Sequence, residues 1–249
     1  MGTKSNTVTE FTEIDALILA GGMGTRLRSV LPNKQKVVAP VDGQPFLLRI
    51  ITTLHHVGVR RIILALGYRA EDVLSDIIGL VPAEVQIIPS VEVEMLGTAG
   101  ALRHALPLII SETVLVANGD SFIDADLPSF LAFHLDVKAQ ISMLLCKVPD
   151  ISRYGSVSHD GSGQVLEFLE KRIDVQKPGV INAGIYLMDK SVIESFPYGT
   201  ISLEKDAFPK YCGKGLYGMR QEGRFIDIGT PEDYGKAAEF FAENNRSRA

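Results

Sequence analysis

The segment Gly21-Gly22-Met23-Gly24-Thr25-Arg26-Leu27-Arg28 carries the first pattern with chemical meaning. It follows directly on the apolar run Ile14–Ala20. Glycines at the carboxyl end of a buried strand let backbone N–H groups approach a phosphate closely. The loop is not a Walker loop, because GxxxxGK[ST] is absent. A dinucleotide fingerprint would need glycine where Leu27 stands, which speaks against hydride chemistry. A glycine-rich turn is often a plain connector. Two cations raise this one above that reading: Arg26 inside the loop and Lys36 downstream of it. Cations poised over a phosphate cradle suit a reaction that develops charge on phosphoryl oxygens.

Other residues need partners wherever they are placed. Asp227 sits between Ile226 and Ile228, and a carboxylate buried in such a stretch requires a cation or a hydrogen bond. Asn182 lies in the apolar run Ile181–Leu187, where its amide must find partners. Asp120 after Gly119 could equally cap a turn, and Glu204-Lys205-Asp206 reads first as a solvated charge run. The histidines show no metal-ligand spacing: His55 and His56 are adjacent and point to different helix faces. Neither Cys146 nor Cys212 belongs to a nucleophile motif or a CxxC pair.

These residues must be held by a framework, and the framework is legible as alternation. Ile14–Ala20, Arg61–Leu66, Glu84–Ile88, Thr113–Ala117 and Ala139–Lys147 read as strands. Between them, the stretches 46–57, 70–78, 98–106 and 127–136 read as helices, the first stopping at Gly58. Strand and helix in alternation predict an α/β fold with a mainly parallel sheet and helices on both faces. From Tyr154 the style changes. YGSVSHDGSGQVLEF reads as a hairpin about Asp160-Gly161, and Ile181–Leu187 and Leu216–Gln221 as further strands. Pro231 then opens a closing helix. The organisation expected is a polar tail over 1–13 and a single domain over 14–249, with an antiparallel excursion in the second half.

LAGGMGTRL followed by QKVVAPVDGQPFL resembles the opening of the sugar-1-phosphate nucleotidyltransferases, GGxGTRL then PKPM-PV-GKP. Gln35 and Val37 stand where that family has prolines. The resemblance continues in order along the chain. It runs through Glu94-Met95-Leu96-Gly97-Thr98-Ala99-Gly100, Asn118-Gly119-Asp120, Glu170-Lys171, Ile181-Asn182-Ala183-Gly184 and Phe225-Ile226-Asp227-Ile228-Gly229-Thr230-Pro231. It implies a three-layer, Rossmann-like (GT-A-like) fold and transfer of a nucleotidyl group from an NTP to a sugar 1-phosphate.

The resemblance also implies roles. Leu19, Ala20, Gly21, Gly22, Gly24 and Thr25 would contact the nucleotide, as would Glu92, Glu94, Leu96, Gly97 and Thr98 beside the base and ribose, and Asn118 and Gly119. Glu170, Lys171, Asn182 and Gly184 would hold the sugar phosphate, with Glu204 and Lys205 of SLEKDAFP near it. Arg26, Lys36, Asp120 and Asp227 would be catalytic, and the two aspartates would bind Mg²⁺. That ion takes oxygen ligands and often only one or two protein carboxylates. Within the family, LRSV after the glycine loop, Asn118-Gly119-Asp120-Ser121, YGSV at 154–157 and SLEKDAFP look most like the bacterial D-glycero-α-D-manno-heptose-1-phosphate guanylyltransferases. That likeness implies GTP as donor and GDP-heptose as product. Mannose 1-phosphate with GTP, or glucose or N-acetylmuramate phosphates with CTP, TTP or UTP, are the alternatives.

The net charge of −5 argues against nucleic acid as partner. No apolar run reaches the roughly 18 residues of a membrane span, and the polar start has no signal-peptide core. A cytoplasmic enzyme is expected, with a homodimer as the default assembly. A non-catalytic, nucleotide-sugar-sensing subunit would be expected to have lost the loop arginine or an aspartate; all are present here. A bifunctional acetyltransferase would need hexapeptide repeats, which these residues do not contain.

Overall fold

In a computed structural model the residues described are 10–32, 34–169 and 176–247, with side chains described through 242. The strands are β1 (Asp15–Leu19), β2 (Pro40–Val41), β3 (Gln44–Pro45), β4 (Arg61–Leu66), β5 (Gln86–Val91), β6 (Thr113–Asn118) and β7 (Ser121–Ile123). They continue with β8 (Ile141–Val148), β9 (Ser156–His159), β10 (Val165–Leu169), β11 (Gly179–Asp189), β12 (Leu216–Arg220) and β13 (Phe225–Asp227). The helices are α1 (Phe46–His56), α2 (Ala70–Ile77), α3 (Gly97–Ala105), α4 (Leu127–Asp136), α5 (Lys190–Ser195), α6 (Phe208–Tyr211) and α7 (Pro231–Ser247).

The main sheet runs β10-β9-β11-β6-β1-β4-β5, with β8 pairing β11 and β12. It is parallel across β6, β1, β4 and β5. It turns antiparallel where β11 joins β6, the excursion expected from the change in style after Tyr154. Side-chain alternation along the central strands divides the interior in two. Ala16, Ile18, Ile62, Leu64, Leu115 and Ala117 face α1, α2, α4 and α7. Leu17, Ile63, Ala65, Val114 and Val116 face α3, α5 and α6. With both faces covered, the central strands need apolar residues at every position, and this is why they read as unbroken runs.

Among the described residues, one carboxylate lies inside this core. Asp15 is buried, and its carboxylate accepts from Arg61 Nε at 2.8 Å, Ile110 N at 2.6 Å and Ser111 N at 3.1 Å. A buried charge persists only when fully paired in this way.

The order of connections decides where a site can form. The chain steps outward from β1 to β4 and β5, then returns through α3 to the other side of β1 as β6. The crossovers on either side of the β1–β6 pair therefore diverge. A crevice opens beyond the carboxyl ends of those two strands.

Several elements fall outside the sequence expectation. The β5 strand begins at Gln86 instead of Glu84 and extends to Val91, set by its register with Arg61–Leu66. The hairpin connection spans Asp160–Gln164, wider than a two-residue turn, because the Asp160 carboxylate accepts from the amides of Ser162 and Gln164, both at 2.9 Å. Short pieces that only tertiary contact supports were not foreseen. These are the β7–β13 ribbon, the β2–β3 ribbon, α5, and a π-helical turn over Leu203–Ala207.

Candidate active site

Two adjoining cavities occupy the crevice. One, of about 300 Å³, has Leu19, Gly21, Gly22, Lys36, Asn118 and Asp120 on one side. Glu92, Met95, Gly97 and Thr98 stand on the other. The second, of about 280 Å³, is lined by Tyr154, Asn182, Gly184, Phe225 and Asp227 among others. Asn118 and Glu204 border both, so the cavities are the two halves of one cleft.

The glycine loop leaves β1 at Leu19, enters a left-handed residue at Gly24 and closes into a short helical turn over Thr25–Leu27. Ala20 is buried, its amide bonded to the Ala65 carbonyl at 2.8 Å, so its contribution is to the sheet end and not to the cavity wall. Thr25 and Arg26 are exposed and line neither cavity. Arg26 makes no hydrogen bond or ion pair among the described residues. Lys36 opens the next helical turn, Lys36–Val38, and its ammonium pairs with the Asp120 carboxylate. At Gln35 the departure from the family pattern does little to this backbone. Gln35 adopts φ −69 and ψ 142, values that proline also takes, and its side-chain amide donates to the Tyr68 carbonyl.

Asp120 is carried on the turn between β6 and β7, where the Gly119 amide donates to the Leu19 carbonyl at 2.9 Å. Gly119 is thus buried backbone packed on the end of β1. Asp227 ends β13, which pairs antiparallel with β7 so that Asp227 opposes Ser121. One step on, the Ile228 amide donates to the Asp120 carbonyl at 2.9 Å. Residues far apart in sequence are so fixed side by side. Asp227 Oδ1 accepts from the Gly229 amide at 2.5 Å. Among the described residues no group of three or more His, Cys, Asp or Glu side chains is gathered as a metal cage. Mg²⁺ bound jointly with phosphates needs only one or two protein carboxylates, and Asp120 and Asp227 could serve as such ligands.

The far wall is the segment from Glu92 into α3. Glu92 is half-buried, and burial raises its carboxyl above the usual range, though Oε2 accepts from the Leu96 amide at 3.0 Å. Glu94 is exposed and lines neither cavity. Leu96 is the cap of α3, its carbonyl accepting from the Ile201 amide at 2.8 Å. Gly97 then has φ +71, and a Cβ there would lie 2.6 Å from the Ile201 carbonyl oxygen, so only glycine fits. Thr98 donates from Oγ1 to Glu204 Oε2 at 3.0 Å, placing Glu204 on the wall as well. Lys205 next to it is exposed and lines neither cavity.

In the second half of the cleft, β11 bulges between Asn182 and Tyr186, pairing with β8 on both sides of the bulge and with β6 only beyond it. Asn182 stays satisfied across the bulge. It donates to Tyr186 Oη at 2.7 Å and accepts from the Gly184 amide at 3.0 Å. Gly184 has φ +78 and sits against Asn118 and Ser121, where a side chain would collide. Glu170 and Lys171 lie outside the described residues. Tyr154 and Phe225 line this half, rings 5.4 Å apart and edge to face. They were not singled out from sequence, although both stand inside motifs quoted above. Burial, aided by the Asp227 charge, pushes the Tyr154 phenol up to about 12, so it remains a hydroxyl donor.

Lys36 with Asp120, Asp227 on the adjoining backbone, and a glycine loop at a topological switch point are groups that could hold phosphates. Comparison with known proteins identifies the family. The family described as "Nucleotidyl transferase" matches residues 15–244. The D-glycero-alpha-D-manno-heptose 1-phosphate guanylyltransferase of Aneurinibacillus thermoaerophilus is 36% identical over 226 residues, 90% of this chain and 96% of that protein. The mannose-1-phosphate guanylyltransferase of Mycobacterium tuberculosis is 32% identical over 89% of this chain, which spans 63% of that longer protein. The crystal structure of HddC from Yersinia pseudotuberculosis complexed with GMP-PN is 38% identical, with a TM-score of 0.82 over 92% of this chain and 99% of that one. Matched in sequence along nearly all its length, and folded like HddC, the chain belongs to the nucleotidyl transferase family.

Proposed function

We propose that this protein is a Mg²⁺-dependent, cytoplasmic guanylyltransferase that joins GTP and D-glycero-α-D-manno-heptose 1-phosphate, giving GDP-heptose and pyrophosphate. The observation that carries the reading is the paired cleft. Its glycine-loop half is walled by Glu92, and its other half holds Asn182, Gly184 and Asp227. A phosphate oxygen of the sugar phosphate forms a bond to the α-phosphorus of GTP as the bond from that phosphorus to the pyrophosphate oxygen breaks. The nucleophile is already ionised near neutral pH, so the protein contributes positioning and charge neutralisation and no general base.

Lys36 would lie between the attacking phosphate and the α-phosphate, exchanging its contact with Asp120 for the substrate. Arg26 would hold the departing phosphates. Asp120 and Asp227 would hold Mg²⁺, whose charge stabilises the phosphoryl oxygens. Guanine and heptose are supported by matches over about nine tenths of this chain to relatives named D-glycero-alpha-D-manno-heptose 1-phosphate guanylyltransferase. Mannose 1-phosphate is the second reading, supported by relatives at similar identity over most of this chain. No helix among the described residues is long and apolar enough to cross a membrane, and both cysteines are free. Turnover of the four NTPs against heptose, mannose, glucose and N-acetylmuramate 1-phosphates, read by pyrophosphate release with and without Mg²⁺, tests the reading. It predicts the highest kcat/KM for GTP with the heptose, and fails if no pair releases pyrophosphate.

A further inference from the structure

Gln35 immediately precedes Lys36, and its side chain is buried. Its backbone has φ −69 and ψ 142, a conformation in which a proline ring would fix φ covalently. A glutamine is free to leave that conformation, so the constraint must come from elsewhere. The side-chain amide supplies it by donating to the Tyr68 carbonyl, in the turn between β4 and α2.

That carbonyl is a fixed point. Gly67, one residue before it, packs so closely on the glycine loop that a Cβ there would lie 3.0 Å from the Gly21 carbonyl oxygen. Arg69, one residue after it, is held at φ +59. A non-glycine residue keeps such a left-handed conformation only where its surroundings impose it. Its guanidinium pairs with Asp72 in the first turn of α2. The other sides of the Lys36 turn are packed as closely. A Cβ at Gly24 would lie 3.0 Å from Lys36 Cβ, and one at Gly119 would lie 3.2 Å from Val37 Cγ1. The turn Lys36–Val38 is thus wedged between the glycine loop and the turn carrying Asp120, and Gln35 ties down its entry.

We infer that Gln35 is a positioning residue whose amide, latched to the Tyr68 carbonyl, sets where the Lys36 ammonium stands beside Asp120 and the substrate phosphates. This rests on the reading of Lys36 as the cation of a transfer site. A latch that only added stability would leave Lys36 in place when it was removed.

Gln35→Met keeps the length and approximate volume of the side chain and removes the donor. It is expected to lower kcat roughly 10- to 100-fold, the cost of misplacing a group that acts in the transition state, with KM for GTP changed about threefold or less. In a Lys36→Ala background the same substitution should lower kcat no more than about twofold, because Gln35 acts only through Lys36. Gln35→Pro restores the backbone constraint without the amide, and should recover kcat to within about threefold of wild type. Hydrogen exchange reads the same turn without turnover. The Val38 amide donates to the Gln35 carbonyl at 3.1 Å, and the Ala39 amide to the Lys36 carbonyl at 3.0 Å. Exchange at both should quicken roughly 3- to 10-fold in Gln35→Met and return toward wild type in Gln35→Pro. That exchange pattern in a protein that releases pyrophosphate from no substrate pair would sink the transfer reading and leave the hold on Lys36 standing. The inference is overturned if Gln35→Met lowers the melting temperature but leaves kcat unchanged. Equal losses of kcat with and without Lys36 overturn it too, as does no recovery in Gln35→Pro. If Gln35→Met does not fold, Gln35→Asn, which withdraws the amide by one methylene, meets the same outcomes.

Discussion

The amide of Ile228 donates to the carbonyl of Asp120 at 2.9 Å. This one bond, with the β7–β13 pairing beside it, holds Asp120 and Asp227 together although more than a hundred residues separate them. Because the backbones do the positioning, the carboxylates can be changed without dismantling the site. Asp120→Asn and Asp227→Asn remove a formal charge and keep the shape. Each is expected to lower kcat by several orders of magnitude, with melting temperature little altered, since neutralising developing phosphoryl charge supplies several kcal/mol. Turnover titrated with Mg²⁺ in each variant checks this. Near-normal Mg²⁺-dependent rates in both would sink the metal assignment.

Lys36 and Arg26 differ in the structure, and their variants should differ too. Lys36 lines the glycine-loop cavity and pairs with Asp120, whereas Arg26 is exposed on the turn after Gly24. Lys36→Ala is expected to cut kcat roughly 10²-fold or more, as for one preorganised donor to a developing charge. Arg26→Ala is expected to cut kcat as well, through the departing phosphates. A change confined to KM for the sugar phosphate in either variant would show a role in uniform binding of the acceptor instead.

A separate prediction concerns stability. His134 is buried on α4, with Nδ1 2.9 Å from Ser142 Oγ. Asp189 Oδ1 lies 3.9 Å from Nε2, beyond hydrogen-bonding distance, so burial dominates and lowers the imidazole to about 4. The unfolded chain therefore takes up this proton first as pH falls. The neutral ring's contribution is complete above about pH 6.5 and is lost progressively down to about 4. Between pH 7 and 5 the loss should be about 2 kcal/mol. Urea unfolding at both pH values, for wild type and His134→Asn, isolates it. Equal pH slopes in the two proteins would refute the assignment.

Much of this arrangement could be read from the residues alone, for physical reasons that also mark where reading stopped. The central strands are buried on both faces, so their apolar runs were unambiguous. The glycine loop and Asp120 follow the ends of such strands and Asn182 stands at the bulge of β11, which gave them context, whereas Lys36 and Asp227 were marked by their residue types and the motifs around them. The ribbon of Ser121–Ile123 with Phe225–Asp227 is too short to show a period, and only pairing with a remote partner makes it a strand. The turn carrying Glu204 buries Leu203 and Ala207, but five residues are too few to show a period, and only the motif SLEKDAFP had pointed to Glu204, which faces the cleft. Gln35 and Val37 stood out as departures from the family's prolines. Gln35 proved compatible because its backbone already has proline-like angles. Nor could alternation along Glu92-Val93-Glu94 say which carboxylate faces inward.

That last ambiguity leads to a prediction about base choice. Guanine presents N1–H and the N2 amino group as donors, so a guanine-selective pocket needs a fixed acceptor. Glu92 lines the glycine-loop cavity and is half-buried, one oxygen held by the Leu96 amide at 3.0 Å, while Glu94 is exposed outside it. Glu92 is therefore the acceptor expected to distinguish guanine from uracil and thymine, which lack the amino donor. Glu92→Gln keeps an acceptor for the Leu96 amide but replaces the other oxygen by a donor that opposes the guanine edge. The ratio of kcat/KM for GTP over UTP should fall roughly 10- to 150-fold, the worth of a charge-assisted hydrogen bond. Glu94→Gln should leave it unchanged. Acidification provides an independent check with its own sign. Burial raises the Glu92 carboxyl, so it protonates at a higher pH than a free glutamate, and the preference should weaken as pH is lowered through that range. In Glu92→Gln the ratio should be flat over the same range. If Glu94→Gln narrows the GTP advantage and Glu92→Gln does not, the base is read from the exposed side of this segment, and the cavity wall as assigned here is wrong.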